Sequence, residues 1–190
     1  IPIRFDAYES QQLADVTGHV VVLVTPDGGL DQAARSANRL TKGAIARLLD
    51  AEAFTSAKSG QVFTLAWPAG LAAEALHVLV LPKRVDQTEA RKAGAELAKR
   101  AEGKALTVMA GNMNRTADLA MGIALRAYGF DVHKTSSEKS DQGNVVIAHK
   151  KPEETAADFA PLLAVAEGVH MTRDLINEPA NVLSTSEFAA

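Results

Sequence analysis

The sequence contains no cysteine, which rules out disulfide bonds, thiolate nucleophiles and cysteine-ligated zinc within the chain. Aromatic side chains make up only 5% of it, and neither sign of charge dominates, since 20 basic residues stand against 23 acidic ones. No apolar run approaches the roughly 20 residues that a membrane-spanning helix needs. A net charge of −3 gives no electrostatic reason to expect binding to nucleic acid or to an anionic membrane. We expect a folded, cytoplasmic protein.

Motifs for catalysis and cofactor binding are also missing from the sequence. The histidines His19, His77, His133, His149 and His170 lack the paired spacing of zinc ligands. The serines form no G-x-S-x-G turn, and neither a Walker lysine loop nor G-x-G-x-x-G occurs. We therefore predict no catalytic, cofactor-binding or metal-ligating residue in this chain, and we interpret the histidines as core, edge or surface residues.

Strand and helix patterns alternate along the chain, which predicts an α/β fold, a three-layer sandwich with a mixed sheet. The continuous β-branched run at 19–25 is typical of a central strand buried on both faces. The predicted strands 61–67 and 75–81 are joined by Pro68-Ala69-Gly70 and should pair as a hairpin. The other predicted strands are 3–8, 105–110 and 144–148. The predicted helices are 31–49, 87–101, 116–128 and one from Asp158 to Asn177. The polar stretch from Lys134 to Gly143 is predicted to be a surface loop.

One candidate ligand site is the turn Gly28-Gly29-Leu30-Asp31, which stands between a buried strand and the start of a helix. It resembles the glycine turn with which macro domains hold the diphosphate of ADP-ribose, and helix N-termini attract phosphate. However, the asparagine-rich segment that precedes those glycines in macro domains is here Thr25-Pro26-Asp27. The sequence therefore favours a tight turn, with a nucleotide-binding module as the alternative.

The stretch from Glu167 to Ala190 predicts two helices separated by a stop. Pro179 has no amide hydrogen and its ring displaces Glu178 from the α region, so the first helix should end at Asn177. Ser184 and Glu187 have the S-x-x-E spacing of a capping box, which predicts a second helix. We expect the chain to be interrupted within that helix.

The run RDLINEPANVL from Arg173 to Leu183 resembles the junction between the N-terminal and catalytic domains of the leucyl (cytosol) aminopeptidase family, the two-metal exopeptidases. The family has Thr-Pro-Glu where this chain has Ser184-Thr185-Ser186. Two weaker motifs occur in the same order as in the family. The segment from Tyr128 to Lys134 is similar to Y-x-F-D-x-Y-K, with His133 in place of an aromatic residue, and the segment from Phe54 to Gly60 is similar to F-x-G-K-x-G with one extra residue.

The resemblance implies three segments: a macro-like N-terminal α/β domain at 1–150, a linker helix at 151–178, and the start of the catalytic metallopeptidase domain at 179–190. It implies a parent enzyme that releases N-terminal residues, leucine preferred, from peptides. The parent would be a homohexamer whose catalytic domain holds two divalent ions, manganese or zinc. This chain would then be non-catalytic. Arg173, Asp174 and Glu178 form a charged cluster in the sequence, which we interpret as helix-face and inter-domain pairs. Because some bacterial members contact DNA, a DNA-contacting regulatory domain stays a third interpretation.

Overall fold

The computed structural model describes residues 2–130, 133 and 143–179. These residues form one sheet with helices on both faces, as the alternating pattern predicted. The strands are β1 Ile3–Ala7, β2 His19–Val24, β3 Val62–Ala66, β4 Ala75–Val80, β5 Leu106–Gly111 and β6 Val145–His149. The α-helices are α1 Gln32–Leu40, α2 Ala44–Leu49, α3 Glu52–Thr55, α4 Gln87–Ala101, α5 Thr116–Arg126 and α6 Pro152–Asn177, and a 3₁₀ helix spans Ser10–Asp15.

The sheet is mixed, with the strand order β1-β6-β5-β2-β4-β3. All neighbouring pairs are parallel except β3 and β4, which form the predicted antiparallel hairpin. The run predicted as a central strand is β2, which pairs with β5 on one side and with β4 on the other. Val20, Val21 and Val22 are fully buried there, because helices cover both faces of this part of the sheet.

The helices form the two outer layers of the sandwich. α4, α5 and α6 cover one face, where the apolar core includes Val21, Leu79, Leu97 and Ile123. The 3₁₀ helix and α1 to α3 cover part of the other face, and the core there includes the three residues Val22, Ile45 and Leu76. The three-layer α/β sandwich predicted from the sequence is confirmed.

The helices α4 and α5 approach each other closely through two glycines. A Cβ atom on Gly94 would overlap the backbone carbonyl of Leu119, and a Cβ on Gly122 would overlap that of Arg91. Only glycine allows backbones to lie this close. The close contact brings α5 down onto the core, which is why every residue from Thr116 to Ala124 is buried.

The single helix predicted over 31–49 is two helices, so that prediction was wrong. Lys42 and Gly43 have φ angles of +52° and +81°, which end α1 and redirect the chain into α2. The hydroxyl of Thr41 donates to the carbonyl of Ala37 at 2.8 Å within the last turn of α1. The apolar periodicity concealed the break because both helices bury their apolar side chains in the same core.

The start predicted for the long helix at Asp158 was also wrong, since α6 begins at Pro152. A proline in the first helical turn needs no amide partner, so Pro152 is a favourable start. Pro161 lies inside the helix and has no amide hydrogen to donate to the carbonyl of Ala157. Both residues are exposed, so water can replace the missing hydrogen bond. The other end agrees with the prediction, because Glu178 is extended after Asn177, at φ −64° and ψ 133°.

Two sequence predictions fall outside the described part of the chain. The loop over Lys134–Gly143 lies there except for Gly143, and the second C-terminal helix, with Ser184 and Glu187, lies there entirely. Over the described residues, none of the helices combines the length and the apolar character required to cross a bilayer.

Candidate functional site

A crevice of about 310 Å³ lies at the carboxyl ends of β2, β4 and β5. The connection from β2 to β4 runs over one face of the sheet, and the helix that connects β4 to β5 lies on the other. Ligands of open α/β sheets commonly bind where such connections diverge. We call this site the carboxyl-end crevice; it is lined by Leu23, Val24, Thr25, Gly29, Asp31, Leu81, Pro82, Lys83, Ala110, Asn112 and Met113.

The turn at Gly28 and Gly29 forms one wall of the carboxyl-end crevice. The amide of Gly28 donates to the carbonyl of Thr25 at 2.8 Å, and the amide of Gly29 donates to the Thr25 hydroxyl oxygen at 2.9 Å. Gly28 has φ +81°, and a Cβ on Gly29 would lie 2.5 Å from the Thr25 hydroxyl oxygen. The requirements of the turn therefore account for both glycines, and their amides point back into the turn.

Asp31 occupies the position in which a phosphate would meet the start of α1. Its carboxylate accepts a hydrogen bond from the amide of Ala34 at 2.7 Å. Burial raises the pKa of the Asp31 carboxyl, and burial together with the nearby Asp31 charge raises the pKa of Tyr8 to about 12. A diphosphate in the carboxyl-end crevice would meet this carboxylate, so the geometry disfavours the nucleotide-binding alternative.

Three polar side chains on three strands form a hydrogen-bonded chain. The Thr64 hydroxyl lies 2.9 Å from Nδ1 of His77, and Nε2 of His77 lies 3.0 Å from Nδ1 of His19. His77 is only 1% exposed, and burial, then the His19 and Arg100 charges, lowers its pKa to about 4. The sequence did not predict these hydrogen bonds, because the three residues are far apart in sequence. The one local signal is a histidine inside the otherwise aliphatic strand β4.

A second cleft, of about 560 Å³, lies between the first turns of α4, α5 and α6. His149 is buried at its base and contacts the Thr155 hydroxyl at 2.8 Å through Nδ1. The buried carboxylate of Asp118 pairs with Arg91 at 3.0 Å and lies 3.9 Å from Arg115. The buried charge in this cleft is therefore neutralised by arginine, which is typical of a structural pair.

The side chains of the described residues do not converge as the ligands of a metal ion would. Among residues 2–130, 133 and 143–179, no group of three or more histidine, aspartate or glutamate side chains is placed to hold an ion. A two-metal hydrolase needs several carboxylates around ions that lie about 3.5 to 4 Å apart. The described part of the chain therefore offers no such centre.

The structure brings together two of the motifs found in the sequence. The guanidinium of Arg173, in α6, lies over the ring of Tyr128, which follows α5. The side-chain amide of Asn177 donates to the Tyr128 hydroxyl at 2.9 Å, and His133 contacts Glu178 at 2.7 Å. Arg173 and Glu178, expected in helix-face and inter-domain pairs, here contact side chains from the segment after α5.

One side of α6 exposes apolar residues to solvent. Val165 is 53% exposed, Val169 39% and Ile176 77%. Their spacing of four and seven residues places them on one side of the helix. Phe159 and Ala166, about a quarter of a turn round the helix from these residues, are buried against the sandwich. We call the three exposed residues the apolar stripe of α6.

Comparison with known proteins assigns this fold. Residues 21–137 match the N-terminal domain of the cytosol aminopeptidase family. A probable cytosol aminopeptidase of Cereibacter sphaeroides is 42% identical over 190 residues, and another, of Dinoroseobacter shibae, is 46% identical over 177 residues. The alignments cover 100% and 93% of this chain but only 39% and 36% of those proteins. This chain therefore spans about two fifths of the length of these relatives.

Solved structures agree on the fold. A mutant of tomato leucine aminopeptidase superposes with a TM-score of 0.77 at 19% identity, over 100% of this chain and 40% of that one. The macro domain of ganglioside induced differentiation associated protein 2 superposes with a TM-score of 0.54 at 14% identity, over 85% of this chain and 83% of that one. The family match and the full-length alignment to relatives both lead to one assignment: the chain belongs to the cytosol aminopeptidase family and corresponds to its N-terminal domain.

Proposed function

We propose that this chain is the non-catalytic N-terminal part of a metal-dependent aminopeptidase, a cytoplasmic enzyme that releases N-terminal residues, preferably leucine, from peptides. The observation that carries the proposal is the alignment over the entire chain with a relative of which it covers only 39%. The names of these relatives, probable cytosol aminopeptidases, support a peptidase activity for the whole protein. The catalytic residues would then lie in the remaining three fifths.

The side chains of the chain support this division of roles. Hydrolysis by two metal ions needs carboxylates that converge on the ions, to generate hydroxide and to stabilise the oxyanion. No cluster of three potential ligands occurs among the residues described. The paired carboxylate of Asp118 and the capping carboxylate of Asp31 are already engaged within the fold.

We assign α6 the role of linker helix, with residues 1–150 as the macro-like domain and 179–190 as the start of the catalytic domain. α6 packs on the sandwich through Phe159 and Ala166, while its apolar stripe faces solvent. Burying apolar surface yields about 25 cal/mol per Å². The apolar stripe of α6 therefore offers a contact surface to the rest of the enzyme, which we propose assembles as a homohexamer through its catalytic domains.

Activity measurements test the proposal. The purified 190-residue chain, supplied with manganese or zinc, should leave a leucine anilide substrate intact and should bind neither ion tightly by calorimetry. The full-length gene product should hydrolyse the same substrate and lose that activity to a chelator. Turnover by the 190-residue chain, with tight metal binding, would contradict the assignment of roles. A full-length product that a chelator leaves active would contradict the metal dependence.

A further inference from the structure

The two edges of the sheet differ in their protection against pairing with other strands. β1, at one edge, carries Arg4 and Asp6, which form an ion pair at 3.0 Å, and it follows Pro2. Charged side chains and proline are the usual devices that block an edge strand. Within Val62–Ala66 the other edge, β3, has no charged residue and no proline, and its ladder with β4 is continuous. A bulge precedes this stretch, because Gly60 and Gln61 both bond to Val80.

The backbone of β3 has one side available for hydrogen bonding. The amide of Val80 donates to the carbonyl of Gln61 at 2.9 Å, and the amide of Trp67 donates to the carbonyl of Glu74 at 2.8 Å. Backbone groups of alternate residues point to the same side of a strand. The odd-numbered residues of this segment therefore face β4, and the backbone N–H and C=O groups of the three residues Val62, Thr64 and Ala66 face away from it. No strand of the described residues lies beyond β3.

Trp67 stands at the end of this edge, directly after β3. It is the chain's single tryptophan, it is 76% exposed, and its backbone has φ +47°, which is rare for a bulky residue. Pro68 is buried, and the turn lies so close to α1 that a Cβ on Gly70 would overlap the Leu40 carbonyl. This packed turn fixes the strained backbone and keeps the indole in solvent. Exposed tryptophans are enriched among residues that dominate protein interfaces.

We propose that β3 and Trp67 form a contact between two copies of this chain, in which each β3 pairs antiparallel with the other about a two-fold axis at Thr64. In this register Val62 lies opposite the partner's Ala66, and Phe63 lies opposite the partner's Leu65. Each outward-facing backbone group then finds a partner, and the two sheets become one. The contact is isologous, as in most homodimers.

The composition of the edge favours a second copy over a different partner. When a strand pairs with itself about a two-fold axis, a charge on the axis lies directly opposite the same charge of the other copy. The segment 59–73 contains no charge and so avoids that repulsion. Equally, it offers no counter-charge to an acidic or basic peptide. Threonine opposite threonine, as at Thr64, is a favourable cross-strand pair.

The size of the contact determines how strong the dimer is. One short strand and one indole from each copy bury less than about 1,200 Å² in total, the lower end of specific interfaces. The dimer is therefore weak and dissociates on dilution. Trp67 reports directly on the contact, because its emission is the only indole signal in the chain.

Sedimentation and fluorescence of the 190-residue chain, recorded together over a dilution series, test the contact. As concentration increases from about 1 μM to about 1 mM, the mass should change from monomer to dimer. The Trp67 emission should shift to shorter wavelength along the same curve, and acrylamide should quench it less. A monomeric mass and a constant emission over the whole series would overturn the proposal.

Variants locate the contact on β3. Ala66→Lys places a lysine on the edge strand, opposite the partner's Val62, and Ala66→Pro removes one outward amide, while neither changes a bond to β4. Trp67→Asn removes the indole and suits the left-handed backbone, since asparagine tolerates it. Each should raise the dimer dissociation constant about tenfold or more, with the melting temperature of Ala66→Lys unchanged.

The matched control makes the same exchange on the opposite edge of the sheet. Ala7→Lys puts a lysine at an exposed alanine of β1 and should leave the dissociation constant unchanged. A dimer that survives Ala66→Lys and Trp67→Asn with its parental affinity would overturn the proposal. The proposal would also be overturned if Ala7→Lys weakened the dimer as much as Ala66→Lys does.

Discussion

The guanidinium carbon of Arg173 lies 3.9 Å from the centre of the Tyr128 ring. This contact joins the last turns of α6 to Tyr128, which lies two residues past the end of α5. The side-chain amide of Asn177, one turn further along α6, donates to the hydroxyl of the same tyrosine. The two interactions hold the C-terminal end of α6 against the sandwich, so they set the direction in which the chain leaves this domain.

Replacing Arg173 should loosen this attachment. Arg173→Ala removes a cation–π contact at an exposed site, and we expect the free energy of unfolding to fall by about 0.5–1 kcal/mol in urea denaturation. Arg126→Ala, at an exposed position in the last turn of α5, is the control and should change the free energy by less than about 0.5 kcal/mol. Equal losses in both variants would assign the effect to general surface charge instead of the Tyr128 contact.

Hydrogen exchange should differ sharply between β2 and the end of α6. The amides of β2 lie in a strand paired on both sides and packed on both faces, so their exchange should need global unfolding. The last turn of α6, around the 77% exposed Ile176, should open locally and exchange much faster. Mass spectrometry of exchanged peptides measures both. Equal protection in the two segments would show that the end of α6 needs no further contact.

Asp31 should make stability depend on pH in the acid range. Burial raises the pKa of Asp31 above the ordinary 3.8. The contribution of the protonated carboxyl to the free energy of unfolding is therefore complete below pH 3.8 and is lost as pH rises through the raised pKa. Asp31→Asn keeps an acceptor for the Ala34 amide without the charge, and should be at least as stable as the parent protein at neutral pH. Near pH 3 the two should be equally stable, because both are uncharged.

The companion variant Asp31→Ala separates the cap from the charge. It loses the acceptor and should be about 1 kcal/mol less stable than Asp31→Asn at neutral pH. Urea denaturation at the two pH values provides the comparison. If Asp31→Asn were less stable than the parent protein at neutral pH, the buried charge would be stabilising, contrary to this account.

His77 should make the protein sensitive to mild acid. Its pKa is lowered from 6.5 to about 4 by burial, and then by the charges of His19 and Arg100. Because this pKa is lowered, the contribution of neutral His77 to the free energy of unfolding is complete above pH 6.5. It is lost as pH falls towards 4, by on the order of 2–3 kcal/mol. His77→Gln should abolish this loss, whereas His133→Gln, at an exposed histidine, should retain it. An unchanged loss in His77→Gln would place the titrating group elsewhere.

The bounds of α4 were predictable because every signal for them is local. Asp86 and Glu89 form a capping box at its start, and Glu102 and Gly103, both at positive φ, end it. Two other helix bounds were predicted wrongly, each for its own reason. The sequence of α1 and α2 keeps one apolar period through the break at Gly43, and Pro161 is tolerated inside α6 because that position faces solvent.

The polar sites were less predictable than the fold. Thr64, His77 and His19 contact each other only because β3, β4 and β2 are neighbours, and no local pattern reveals that order. The Gly28 turn was identified from sequence, but the role of Asp31 beside it depends on how deeply the carboxylate is buried. Side-chain burial of this kind follows from the assembled layers, so it cannot be deduced from motif spacing.

The pairing of β1 with β6 has a consequence for synthesis of the chain. Ile3 lies opposite Val145 in the sheet, and ribosomes add about 5–20 residues per second, so roughly 7–28 s separate the two residues during translation. β2, β3 and β4 are complete much earlier. Of the strands in this sheet, β1 therefore waits longest for its neighbour, and its Arg4 and Asp6 hinder pairing with strands of other nascent chains in the meantime. The charges of β1 thus serve the growing polypeptide as well as the finished sheet.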